Sequence, residues 1–172
     1  VFSRWDNMGG SSINLYTVRP DGSGLALFYG AHSHDADEVT QQFVRPQPLD
    51  NGELLVLALP FTGSDDGGDL LRIDVSSYVD NEAAVYPNQD VLLGPAQRPA
   101  TSKVINSGSG ISVEGRFRSA WPLADGSKRL LVSWSPCRLM EAGRIVNCSA
   151  KRLENPAAVA APPLYSLWVY DL

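Results

Sequence analysis

The chain has 172 residues, 44% of them apolar and 19% charged, with 15 Gly and 12 Pro. This is the balance of a globular chain, long enough for one sizeable core and suited to many short strands joined by turns. A net charge of −5 with scattered Lys and Arg argues against nucleic acid as a partner, and no apolar run approaches the roughly 20 residues of a membrane-spanning helix.

Val1 to Trp5 is a short apolar and aromatic run that predicts a strand, and Asp6 to Ser12 is a loop by composition. Asn14 to Gly30 then reads as strand, tight turn, strand. Tyr16 and Val18 alternate with Thr17 and Arg19, and Pro20-Asp21-Gly22 supplies the turn, Pro presetting φ and Gly offering positive φ. Ala31 to Glu38 is a polar loop carrying both histidines. Phe43 to Gly52 is a proline-bearing strand that ends in Asn51-Gly52, a hairpin turn pair. Glu53 to Phe61 is nearly all apolar, the pattern of a strand buried on both faces. After a loop from Thr62 to Gly68, Asp69 to Val75 is another strand, and Tyr78 to Gly110 is long and weakly patterned. Phe117 to Leu123, Arg129 to Trp134 and Leu164 to Tyr170 supply the last strong strands, and no window carries a helical period. The sequence opens on Val1 with neither Met nor signal peptide and ends inside strand-like sequence. The expectation is a segment of a longer polypeptide, with targeting signals outside it.

An internal repeat organises these elements. Phe43…Pro48-Leu49-Asp50-Asn51-Gly52 matches Phe117…Pro122-Leu123-Ala124-Asp125-Gly126, and Leu54-Leu55-Val56 matches Leu130-Leu131-Val132. The following strand recurs at Leu15 to Arg19, Leu70 to Asp74 and Leu167 to Asp171. Each unit predicts a four-stranded antiparallel meander that needs stacked neighbours to bury both faces. The fold class expected is all-β, a segment of a β-propeller: residues 1–30 the latter part of one blade, 39–90 a full blade, 111–172 most of a third. A sandwich or barrel with coincidentally similar turns is the alternative.

The strand–Pro-Leu-x-(Asp/Asn)-Gly–strand unit and the Pro20-Asp21-Gly22 hairpin resemble the repeats of TolB-type (WD40-like) propellers across most of the chain. More narrowly, Ser3-Arg4-Trp5-Asp6, Leu15-Tyr16…Pro20-Asp21-Gly22 and Tyr29-Gly30-Ala31-His32-Ser33-His34 resemble bacterial propeller proteins related to the middle domain of the hydrazine synthase alpha subunit. The resemblance implies a periplasmic or secreted binding or scaffold module for a protein or small ligand, without catalysis of its own. A lipid anchor would lie in a missing N-terminus. The alternative it implies is the propeller of a hydrazine-synthase-like redox enzyme, or one gating a peptidase. No Cys-x-x-Cys-His haem motif occurs here, so that activity has no support in these residues, and no cofactor is assigned.

Meander parity locates candidate chemistry. Turns one and three of a four-stranded unit emerge at one end. The other loops, and the links between units, emerge at the opposite end. The tight turns at 20–22, 50–52 and 124–126 fall in the first class, while Asp6 to Ser12, Ala31 to Glu38, Thr62 to Gly68, Tyr78 to Gly110 and Arg138 to Pro163 fall in the second. Binding residues collect on loops held by a scaffold, so the long-loop end is the expected ligand face. Arg4, Trp5, Asp6, His32 and His34 are the ligand-binding candidates there, with Trp5 also readable as packing. His32, His34 and Asp35 are candidate ligands for a divalent metal, since alternate residues of an extended segment share a side; a solvated loop is the plainer reading. Ser33-His34-Asp35 is no triad, because sequence neighbours on an extended loop do not converge. Asp65-Asp66-Gly67-Gly68-Asp69 lacks the spaced oxygens of a calcium loop and reads as a connection. Trp121, Trp134 and Trp168 read as core between blades.

Cys137 and Cys148 are the only cysteines and flank one segment that can turn back at Ala142-Gly143. The expectation is a disulfide and an oxidising compartment; the alternative is two reduced thiols in a cytoplasmic protein. Their spacing matches no zinc signature.

Overall fold

The computed structural model describes residues 1–6, 12–30, 41–60, 67–86, 88–89, 91–92 and 94–172. Strands β1 (Phe2–Asp6), β2 (Ser12–Thr17) and β3 (Ala26–Tyr29) form a first antiparallel meander. A second contains β4 (Gln41–Pro48), β5 (Leu54–Pro60), β6 (Asp69–Ile73) and β7 (Gln97–Pro99), each antiparallel to the one before. The third begins with β8 (Arg116–Pro122) and β9 (Arg129–Ser135). An insertion follows, made of β10 (Arg138–Glu141), β11 (Arg144–Asn147), the helical turn α1 (Ala150–Leu153) and β12 (Val159–Ala160). Strand β13 (Ser166–Asp171) then returns to pair with β9. The described residues are all-β apart from that one turn.

The turns set the register. In the first hairpin the Arg19 amide donates to the Ser23 carbonyl and the Gly22 amide to the Arg19 carbonyl. In the second the Leu49 amide donates to Glu53 and the Gly52 amide to Leu49, the same two bonds. Gly22 and Gly52 sit at φ 84° and 86°, where an L side chain is strained. Asp21 Oδ1 accepts from the Ser23 amide and Asn51 Oδ1 from the Glu53 amide, so the Asx side chain closes each turn from the same position. In the third meander the Leu123 amide reaches the Arg129 carbonyl, two residues further on, and Asp125 caps Ser127. Past this longer turn the equivalence resumes: Pro48 pairs Leu54 as Pro122 pairs Leu130, and Leu54 pairs Ile73 as Leu130 pairs Tyr170. Both β4–β5 and β8–β9 carry a bulge, between Val44 and Gln47 in β4 and between Phe117 and Ser119 in β8.

Strand β5 holds the layers together. Leu54 and Val56 point to one side, where they meet Leu15, Tyr29, Phe43 and Ile73. Leu55 and Leu57 point to the other, where they meet Leu70, Phe117, Ala120, Leu130 and Val132 of the third meander. Period-two alternation with both faces apolar yields two cores from one strand. Where β6 starts, Gly68 exchanges both backbone bonds with Phe117, and a Cβ on Gly68 would collide with the Ala58 carbonyl. A Cβ on the neighbouring Gly67, at φ 91°, would collide with the Phe117 carbonyl itself, so glycine there lets the third meander approach this closely.

Several expectations are revised. A single parallel bridge, Ile13 to Gln42, links the first two meanders. No sheet closes on itself among the described residues. Strand β7, beyond residue 90, completes the second meander. Residues 74–96 therefore leave and rejoin the sheet at the tight-turn end, since Ile73 pairs Gln97, and only 100–115 belongs to the long-loop end. Trp121 is 60% exposed and so lies outside the cores; Trp168 is half exposed and meets Trp134 edge-on at 5.5 Å.

The repeat gives a paired test. Leu70 and Leu167 occupy equivalent positions three residues before Ile73 and Tyr170, but Leu70 is 1% exposed and Leu167 73%. Leu70→Ala is expected to lower unfolding free energy by about 2–4 kcal/mol. Leu167→Ala should change it by less than about 0.5 kcal/mol. Urea denaturation of the two variants measures both.

Candidate functional site

Of the predicted site residues, Arg4, Trp5 and Asp6 lie within the described residues. Arg4 and Trp5 are neighbours on β1 and so project to opposite faces. Arg4 is exposed with its guanidinium 5.0 Å from the centre of the Tyr16 ring, and Trp5, opposite Ile13, is 59% exposed. Asp6 ends β1 opposite Ser12. His32, His34 and Asp35 lie outside the described residues. Among the described residues no group of three or more His, Cys, Asp or Glu could hold a metal.

Among the described residues, the long-loop end is built from residues 100–116 and the insertion between β9 and β13. In the insertion, Ala142 and Gly143 both have positive φ, 49° and 74°, and turn β10 into β11. This brings the Cys148 amide to the Cys137 carbonyl, and the two residues are joined by a disulfide with Cα atoms 5.4 Å apart. Arg152 on α1 reaches Glu141 at 3.1 Å, and the Ala161 amide donates to Arg138, laying the returning chain beside β10.

Residues 100–116 wrap one side chain. Arg116 is 7% exposed, and its Nη2 donates to the carbonyls of Gly108 and Gly110, each at 2.8 Å. Ser112 fixes the same turn, accepting from the Asn106 amide and donating to the Gly115 carbonyl. Gly115, at φ 81°, passes so close to the Ser135 carbonyl that a Cβ there would overlap it. The result is a pocket of about 40 Å³ between this turn and the disulfide, lined by Gly110, Gly115, Arg116, Ser135, Cys137 and Arg138 among others. Sequence reasoning did not single out Arg116. A lone arginine at a strand start carries no spacing signal, and its burial depends on the Gly-rich turn folding over it.

A second, larger cavity of about 340 Å³ lies at the opposite end, between the tight turns of the second and third meanders, lined by Leu49, Asn51, Arg72, Leu123, Lys128 and Arg129 among others. Arg72 and Arg129 there are already paired, with Glu53 at 3.7 Å and Asp125 at 3.1 Å.

Asp69, at the crossing of the second and third meanders, is half-buried, and burial pushes its carboxyl up to about 6 against one stabilising bond from the Leu70 amide. Asp21 and Asp125 go the other way, held below the usual carboxylate range by the hydroxyl and amide of Ser23 and Ser127. Compared with models of known families, with curated proteins and with solved structures, the chain matches none.

Asp69 gives a pH test. From an unfolded value of 3.8 to a folded value of about 6, the native state holds this proton more tightly, so its contribution to stability falls as pH rises through that window and is level above it. Asp69→Asn keeps an acceptor for Leu70 and removes the charge. The variant is expected to be more stable than wild type at neutral pH by roughly 1 kcal/mol, discounted for partial exposure. The difference should vanish below about pH 4, as unfolding at matched pH would show.

Proposed function

We propose that this chain is part of a TolB-type β-propeller acting as an extracytoplasmic binding and scaffold module, with its ligand face at the long-loop end. The observation that carries the reading is the convergence there of two elaborated segments, residues 100–115 and the disulfide-pinned insertion, on one pocket. The strand-for-strand equivalence of the second and third meanders supports a stacked-repeat scaffold beneath it. A rigid stack of sheets holding loops at one end is an arrangement that serves recognition. The partner is a protein or small molecule, and the disulfide supports an oxidising compartment such as the periplasm or the exterior.

Two measurements test this. Protein exported to an oxidising compartment is expected to have a mass short of the fully reduced chain by two hydrogens; free thiols there would remove the compartment assignment. Amide shift mapping against a library of small ligands should perturb residues 110–116, 135–138 and 160–163. Responses confined to the tight turns at 19–23, 49–53 and 123–129 would move the binding face to the other end and overturn the proposal.

A further inference from the structure

The insertion carries an apolar row of its own. Met140 on β10 stands opposite Ile145 on β11 and Val159 on β12, so the three side chains share one face of this small sheet. They are 40%, 45% and 60% exposed. Leu139, opposite Val146 and Ala160, belongs to the alternate face and is 2% exposed. The sheet therefore turns that face to the protein and the Met140 row to solvent. Single exposed apolar side chains are ordinary, but three in one cross-strand row make a contiguous patch of the kind that marks an interaction surface. Two strand spacings make the row about 10 Å long.

The insertion is also the basic part of an acidic protein. Residues 136–163 carry four cations, Arg138, Arg144, Lys151 and Arg152, against two carboxylates, Glu141 and Glu154, in a chain whose net charge is −5. Glu141 is engaged by Arg152 at 3.1 Å. Arg144 and Lys151 are exposed and belong to none of the ion pairs among the described residues. Arg144 directly precedes Ile145 on β11, which sets a free cation at the end of the apolar row. The disulfide closes the base of the β10–β11 hairpin beside the Arg138–Asn147 pair. Row and cations are thus held in place before a partner arrives, which lowers the entropy cost of docking.

We propose that this face docks an acidic amphipathic helix of a partner protein, its apolar stripe lying along Met140, Ile145 and Val159 and its flanking carboxylates meeting Arg144 and Lys151. A helix rises about 1.5 Å per residue, so apolar side chains at i, i+4 and i+7 span about 10 Å, the length of the row. Burial of the row supplies affinity, and charge complementarity selects acidic over basic partners. This inference rests on the reading of the long-loop end as a binding face for protein and names the chemistry of the partner.

The test titrates folded, oxidised protein with a capped helical peptide carrying Leu along one face and Glu on the other, following the amides of Met140, Ile145 and Val159. Saturable shifts along the row are expected. A peptide with Lys in place of every Glu, and one with Ser in place of every Leu, should lose them. Ile145→Ser should weaken binding by about tenfold. Arg144→Gln should weaken it by about threefold at low salt, the difference closing at high ionic strength. Both positions are exposed, and an unchanged amide spectrum away from the insertion checks that each variant folds. No saturable shift with the Glu peptide, equal binding of the Lys peptide, or wild-type binding by a folded Ile145 variant overturns the proposal. Self-association of the free protein that Ile145→Ser abolishes would give the face to a second copy and overturns it too. If small ligands still perturb residues 110–116 while the row stays silent, this inference alone falls. Silence of pocket and row alike overturns the binding reading as well.

Discussion

Everything in this structure depends on β5 being buried on both faces. A strand with one wet face needs one partner layer; a strand reading Leu-Leu-Val-Leu-Ala needs two. Leu54 and Val56 require the first meander, and Leu55 and Leu57 require the third. The layers are therefore not independent units that happen to touch. Each side chain contributes about 1.5–3 kcal/mol when fully buried, and removing either neighbour layer would return half of this strand to water.

The third meander repeats the second in register but not in environment. Leu55, Leu57 and Leu70 lie within a core, whereas Leu131 and Leu167 at equivalent positions face outward together with Trp121 and Val169. The same local pattern gives a core in one layer and a wet apolar face in the next, because burial is decided by the neighbour and not by the strand. The bridging contact between Gly68 and Phe117 is equally one-sided, and it leaves the carboxyl of Asp69 beside it in a poorly solvated position.

How much of this was legible in the sequence follows from the range of the interactions. The hairpins were, since Asp21, Asn51 and Asp125 each cap the residue two ahead and the adjacent Gly supplies positive φ. The turn at Ala142-Gly143 was legible from its glycine alone, which supplies positive φ. Strand β7 was not: Gln97-Arg98-Pro99 has no apolar signature and is a strand only because β6 offers it a free edge. The short strands of the insertion were read as loop, because β10 and β12 meet only after the chain has travelled through α1. Arg116 was invisible for a similar reason. Its partners are carbonyls of Gly108 and Gly110, and backbone acceptors leave no trace in residue types.

The position of the insertion has a consequence for how the chain tolerates change. It interrupts the third meander between two strands that pair along their whole length, yet β9 and β13 still meet in unbroken register. The entropy of closing a loop grows only logarithmically, each doubling of length adding about 0.6 kcal/mol, so the sheet is nearly indifferent to what hangs between Ser135 and Ser166. The disulfide then makes that appendage internally coherent without tying it to the sheet's own pairing. The outer surface of this end can thus be rewritten by substituting, lengthening or trimming one cross-linked unit, while the layered body beneath keeps its shape.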